Sequence, residues 1–215
     1  MNLPTELFDD QNRRWPSEGR HILACHDAET IVVYQAYNSG VAGYAVKHGQ
    51  LGGPHFSFAR MSWIKPNFLW MMYRCGWASK ENQERVLALR ISTAFFDSIL
   101  EAAIPSSLDA ELHASHEEWK RALENSEVRL QWDPDHDPSG AKQERRAIQL
   151  GLRGETLRAF ATTQMLEVIA MTPFVHEQAC HVADGQLMTP FERPFSPKSA
   201  AARRQLGLSD QTDPD

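Results

Sequence analysis

The chain has no apolar run approaching the roughly 18 to 20 residues that a membrane-spanning helix requires, so it is expected to have no membrane partner. Its N-terminus, MNLPTELFDDQNRRW, shows neither a basic start followed by an apolar stretch nor a small-residue cleavage site, and no export signal is read there. Cysteine is scarce. Cys25, Cys75 and Cys180 are an odd number at wide spacing, which fits reduced thiols and a cytoplasmic location better than a disulfide framework. Surplus positive charge is missing too: a formal net charge of -6 argues against a protein that coats nucleic acid by bulk electrostatics. There is no Walker loop, no G-x-G-x-x-G, no nucleophile elbow and no paired C-x-x-C, which closes the usual nucleotide-binding and redox routes.

What remains is the composition of an ordinary globular protein, 42% hydrophobic and 23% charged, with 215 residues to build a core without staples. Residues 1–14 read as an arm, 15–197 as one globular domain and 198–215 as a polar, disordered tail. HILAC (21–25) and TIVVYQAY (30–37) read as strands, most simply a hairpin through the polar HDAE. Asn38 or Ser39 caps a helix to His48, ended by Gly49. HFSFARMSW (55–63) alternates like a strand, Pro66 opens a helix to about Arg74, and Gly76 closes it. Further strands are expected at 84–92, 127–132 and 146–152, and helices at 95–103, 115–125, 154–164 and 173–183. Ser115 and Glu118 form a capping box. Strands and helices mix without a regular βαβ repeat, which predicts an α+β domain with a mixed or mainly antiparallel sheet flanked by helices.

The stretch 60–77, RMSWIKPNFLWMMYRCGW, stands apart: three tryptophans, a tyrosine, a phenylalanine, three methionines and three cations in eighteen positions. Tryptophan, tyrosine and arginine together suit a ligand that combines a flat ring with a phosphate or carboxylate, because each offers a rigid face and a directed donor. From 60 to 90 there are six cations against two anions, a local balance of +4 inside an acidic chain. A localised anion site is expected, suited to a phosphorylated small molecule and equally to a polynucleotide. The plain alternative for Arg60, Lys65 and Arg74 is surface charge on an amphipathic helix, and for Met61, Phe68, Leu69, Met71 and Met72 it is core packing.

Other matches carry less. Ser62–x–x–Lys65 has the spacing of an acyl-enzyme serine and lysine, but no K-T-G accompanies it, and the nearest approach to S-D-N is Ser209–Asp210–Gln211. Asp133, Asp135 and Asp137 with Glu144 overlay most of a calcium loop, yet Pro138 stands where that loop needs glycine. His176, Cys180 and His181 would supply three zinc ligands and lack a fourth. No metal is expected from either set.

Read together, YQAY, RMSWIKPNFLWMMYRCGWASK, QWDP and RAIQLGL resemble the family described as domain of unknown function DUF4291, over residues 15–197. After QWDP, where that pattern implies an acidic residue and an arginine, this chain has Asp135 and His136, so a histidine stands in place of the arginine. At the level of layout, the strand opened by Arg20 and His21, the tyrosines at a strand-to-helix junction and PHFSFARMSW are similar to ADP-ribosyltransferases. That resemblance implies NAD as cofactor and glycosyl transfer to a nucleic acid, nucleotide or protein. Arg20 or His21 would anchor the cofactor, and Tyr34 and Tyr37, with Gln35 between them, would stack on it. Trp63, Lys65, Tyr73 and Arg74 would complete the cofactor site, and Arg60 would join phosphate or acceptor binding and count among the catalytic candidates. Gln149, Glu155 and Glu192 are the candidates for the late acidic or amide group beside the ribose. The alternative from another class is a non-catalytic module that binds nucleotides or single-stranded nucleic acid through the same aromatic, basic segment.

Overall fold

A computed structural model describes residues 3–108 and 114–208. In chain order the first elements are β1 (Thr5–Leu7), α1 (Phe8–Asn12), β2 (Gly19–Arg20), β3 (Ile22–Ala24), β4 (Thr30–Tyr37) and α2 (Ser39–His48). Next come β5 (Ser62–Ile64), α3 (Phe68–Cys75), β6 (Arg85–Ser92), α4 (Thr93–Glu101), β7 (Ala103–Pro105) and α5 (His116–Asn125). The chain continues through β8 (Val128–His136), β9 (Lys142–Leu152), α6 (Gly154–Ala161), β10 (Glu167–Ala170) and α7 (Thr172–Ala179). It closes with β11 (Met188–Pro190), β12 (Arg193–Phe195) and α8 (Ala200–Leu206). The result is α+β, with none of the described helices long and apolar enough to cross a membrane.

Two sheets organise the fold. One is antiparallel, β10–β6–β4, with β4 registered on β6 from Thr30↔Ser92 to Tyr37↔Arg85. It is covered on both faces, which is why TIVVYQAY does not alternate cleanly. Ile31, Val33, Leu87, Leu89 and Ile91 face a core with Phe96, Phe160 and Leu150, and Val32, Tyr34, Val86 and Ala88 face another with Phe68, Met72 and Val175. Each such valine, leucine or isoleucine, fully withdrawn from water, contributes about 1.5 to 3 kcal/mol. The second sheet is mixed, built on the long β8–β9 hairpin, with β7 parallel to β8 and β2 and β5 both on the outer edge of β9. The two sheets meet at a single bridge, Tyr34↔Lys65, in which Tyr34 N donates to Lys65 O at 2.7 Å and Lys65 N to Tyr34 O at 3.2 Å.

Local signals account for the helices around this junction. Asn38 Oδ1 accepts from Val41 N at 3.0 Å to start α2, and Gly49 ends it at φ +66°. Asn67 Oδ1 accepts from Trp70 N at 2.6 Å to start α3, and Gly76 ends it at φ +57°. Pro66 therefore lies just before the cap and outside the helix. The expected 21–37 hairpin is replaced by a different pairing: β3 takes β12 as its ladder partner, and only the bridge His26↔Ile31 links its trailing loop to β4. Ile22, Leu23 and Ala24 are all buried, so both sides of β3 need cover that a two-stranded hairpin cannot supply. Of the alternating stretch 55–63 only the end is strand, since Phe56 and Phe58 pack edge to face at 4.9 Å within turns. The arm carries β1 and α1, with Leu3 and Phe8 in the second core, and the expected tail contains α8, whose Ala202 and Leu206 are fully buried. Residues 209–215, and with them the S-D-N near-match, lie outside the described residues.

Candidate functional site

The bridge at Tyr34 and Lys65 places the end of β4 beside β5 and α3, and an open cleft of about 780 Å³ forms there. Gln35, Tyr37, Arg60, Trp63, Lys65 and Arg74 line it together. None of the lining residues is acidic. Its floor is a closed set of polar contacts. Gln35 Nε2 donates to Ser62 Oγ at 2.7 Å and to the Trp63 carbonyl at 3.1 Å, while Gln35 Oε1 accepts from the Tyr37 hydroxyl at 2.6 Å. Ser62 Oγ is also 3.2 Å from the Tyr37 hydroxyl, and burial pushes the Tyr37 phenol above its ordinary range.

Lys65 is the exceptional residue. It is only 5% exposed, and its Nζ forms no hydrogen bond or ion pair among the described residues. Burial, reinforced by the charge of Arg74, pushes its ammonium down to about 8, with Asp133 acting in the opposite direction. Arg60 and Arg74 are exposed at the cleft, also without ion pairs among the described residues. Three cations thus line one cleft without an acidic residue in its lining, and Arg74 acts directly on the charge of Lys65.

A row of polar residues continues from Lys65 across the second sheet. Trp63 is registered on Gly151 and Ile64 on Leu150, so Lys65, one position on, is level with Gln149, which faces Gln131 across the hairpin. Gln131 Nε2 and Gln149 Nε2 donate to the two oxygens of Asp133, at 2.9 and 2.7 Å. Asp133 is therefore a fixed carboxylate in the electrostatic neighbourhood of Lys65. A Cβ at Gly151 would come within 2.6 Å of Met61 Sδ and 3.0 Å of the Trp63 ring, so glycine there lets the indole lie against the sheet.

The remaining proposed residues lie elsewhere. Tyr34 is on the other face of β4, fully buried edge to face with Phe68 at 5.5 Å, and its hydroxyl, which makes no hydrogen bond of good geometry, interacts with the Glu192 carboxyl and not with the cleft. Arg20 lines a separate cleft of about 450 Å³ with Arg146 and Trp132, and the His21 ring contacts the Glu18 carbonyl at 2.9 Å. Tyr73 stacks on His136 at 3.6 Å beside Trp70 and borders a recess of about 380 Å³. Glu155 is exposed at the start of α6, 3.5 Å from Arg158. Glu192 is buried and accepts from Phe68 N at 2.7 Å and Asn67 Nδ2 at 3.3 Å, crowning the N-terminus of α3. Burial raises its carboxyl well above the ordinary range despite the Phe68 N–H. Among the described residues no group of three or more His, Cys, Asp or Glu side chains is arranged to hold a metal ion.

Ser62 and Asp133 are caught by motif reading only in other roles, an acyl-enzyme spacing and a calcium loop, and their part in the polar contacts of this site is missed. Their signal is alternation: Gln131 and Asp133 two apart on one strand, opposite Gln149 on the next, form a polar row that becomes visible once the register is known.

The fold and cleft define a mixed α+β domain with a cationic, aromatic-walled cleft at the seam of two sheets. The family model for domain of unknown function DUF4291 matches residues 21–195, and the chain belongs to that family. Among curated proteins no relative matches the sequence.

Proposed function

We propose that the cleft binds a phosphorylated, ring-bearing small molecule of the nucleotide class, NAD among the candidates. The observation that carries this reading is the unpartnered, buried Lys65 ammonium beside Arg60 and Arg74 in a cleft whose lining contains no acid. A charge withdrawn from water is costly until paired. An anion seated here recovers that cost and joins directed guanidinium donors. Trp63 and Tyr37 offer the flat faces on which a base or nicotinamide stacks.

A second reading, ADP-ribosyl transfer from NAD to a nucleic acid, nucleotide or protein, draws on the Asp133 carboxylate, which two amides hold near Lys65 although it is not itself part of the cleft lining, so the ribose would have to reach past Lys65. Cleavage of the glycosidic bond develops positive charge on the ribose, and a fixed carboxylate stabilises it. Incubation with NAD, with thermal shift and nicotinamide release followed in parallel, separates the readings. A stabilising shift alone supports binding, release supports transfer, and no response to NAD or other nucleotides sinks both.

A further inference from the structure

Lys65 differs from an ordinary anion-site lysine in how little its surroundings ask of it. The neighbouring polar groups satisfy one another: both directed contacts of Gln35 Nε2 go to Ser62 Oγ and the Trp63 carbonyl, and Gln35 Oε1 is taken by Tyr37. No carboxylate forms an ion pair with Nζ, and its backbone is pinned by both hydrogen bonds to Tyr34. Lys65 thus sits on a rigid backbone in the lining of a cleft of about 780 Å³, with the lone pair or protons of its amine uncommitted among the described residues.

We infer that Lys65 is a nucleophilic amine that forms an imine with an aldehyde or ketone carrying a phosphate or carboxylate, the anion being held by Arg60 and Arg74. This rests on the reading of the cleft as an anion site and adds a covalent step to it. With its ammonium lowered to about 8, roughly a tenth of the free protein carries a neutral amine at pH 7, far more than for a solvated lysine. In the step itself the Nζ lone pair forms a bond to the carbonyl carbon while the π pair moves to oxygen. The carbinolamine then expels that oxygen as water, which carries away both protons lost from Nζ, and a C=N bond remains. No oxidant or further reactant is consumed.

The test uses two probes that differ only at the carbonyl. Pyridoxal 5′-phosphate carries an aldehyde and can be trapped on lysine with borohydride, whereas pyridoxine 5′-phosphate carries an alcohol and reports binding alone. The expected result is a thermal shift with both, and a reduced adduct on Lys65 formed roughly tenfold or more faster than on any of the other lysines, Lys47, Lys80, Lys120, Lys142 and Lys198. Lys65→Arg keeps the charge and should retain the pyridoxine 5′-phosphate shift while losing the adduct. Lys65→Met should lose both. A shift without a selective Lys65 adduct overturns the imine and leaves the anion site standing. Neither shift nor adduct overturns both.

Discussion

Replacing Lys65 by methionine is expected to make the ligand-free protein more stable while abolishing its response to anions. The methionine keeps an unbranched stem of similar length in a site that is 5% exposed, and removes a charge that nothing in the described structure pairs. A fall from 10.5 to about 8 corresponds to about 3 kcal/mol against the charged form, at about 1.4 kcal/mol per tenfold. Allowing for imperfect packing of the thioether, a gain of about 1 to 3 kcal/mol is expected at pH 7, or roughly 3 to 9 °C in Tm for a chain of this size. Because the folded value lies below the unfolded one, the unfolded chain holds the extra proton between pH 8 and 10.5. The natural protein therefore gains stability as pH rises through that window, and the advantage of the variant shrinks there. Urea denaturation of both proteins at pH 7 and pH 10 measures this directly. A variant less stable than the natural chain by more than about 1 kcal/mol at pH 7, or a difference that does not move between the two pH values, refutes the reasoning.

Anion affinity is expected to fall as pH rises through about 8, because the free protein loses the Lys65 charge there; titration calorimetry with a nucleotide across pH 6.5–9.5 checks it. Arg60→Ala and Arg74→Ala should each remove most of the nucleotide-induced thermal shift with little change in the ligand-free Tm, since both are exposed and make no ion pair among the described residues. Glu192→Ala should cost about 2 to 4 kcal/mol by orphaning Phe68 N–H and leaving a hole at the head of α3, whereas Glu192→Gln, which keeps an acceptor, should stay within about 1 kcal/mol; urea midpoints distinguish them. Asp135→Asn should cost about 3 to 5 kcal/mol in the same assay, because it leaves the buried Arg145, now 2.7 Å from Asp135, without its counter-charge.

Much of the neighbourhood of the cleft was legible because it is local. Asn38 with Gly49, and Gly76, are helix ends whose meaning needs no tertiary context, whereas the start of α3 reads at Pro66 in the sequence and is set one residue later by the Asn67 cap. The cluster 60–77 brings Arg60, Trp63, Lys65 and Arg74 to one place through a three-residue strand and one short helix, and YQAY adds Gln35 and Tyr37 from the strand that bridges to it. What stayed hidden depends on partners distant in the chain. Tyr34 and Tyr37 look alike in sequence, but three positions on a strand put them on opposite faces, and only Tyr37 meets the cleft. Glu192 reads as a surface acid until β12 closes on β3 and buries it against α3. Asp133 reads as part of an acidic loop because β8 and β9 extend further than their apolar centres, carrying the acid onto a sheet face with Gln149.

The two hydrogen bonds between Tyr34 and Lys65 use backbone atoms alone, so the bridge itself does not depend on which side chain position 65 carries, provided that side chain fits the buried site. On the proposed reading position 65 is in effect a socket: the seam between the sheets fixes the backbone there, and the residue placed on it would set what the cleft takes. A lineage could exchange an amine for a guanidinium or a thioether at this point, moving between covalent chemistry, anion capture and loss of ligand, without renegotiating the fold. Ligand choice and architecture are then separately heritable, and natural variation at 65 becomes a marker of changed ligand rather than of changed structure.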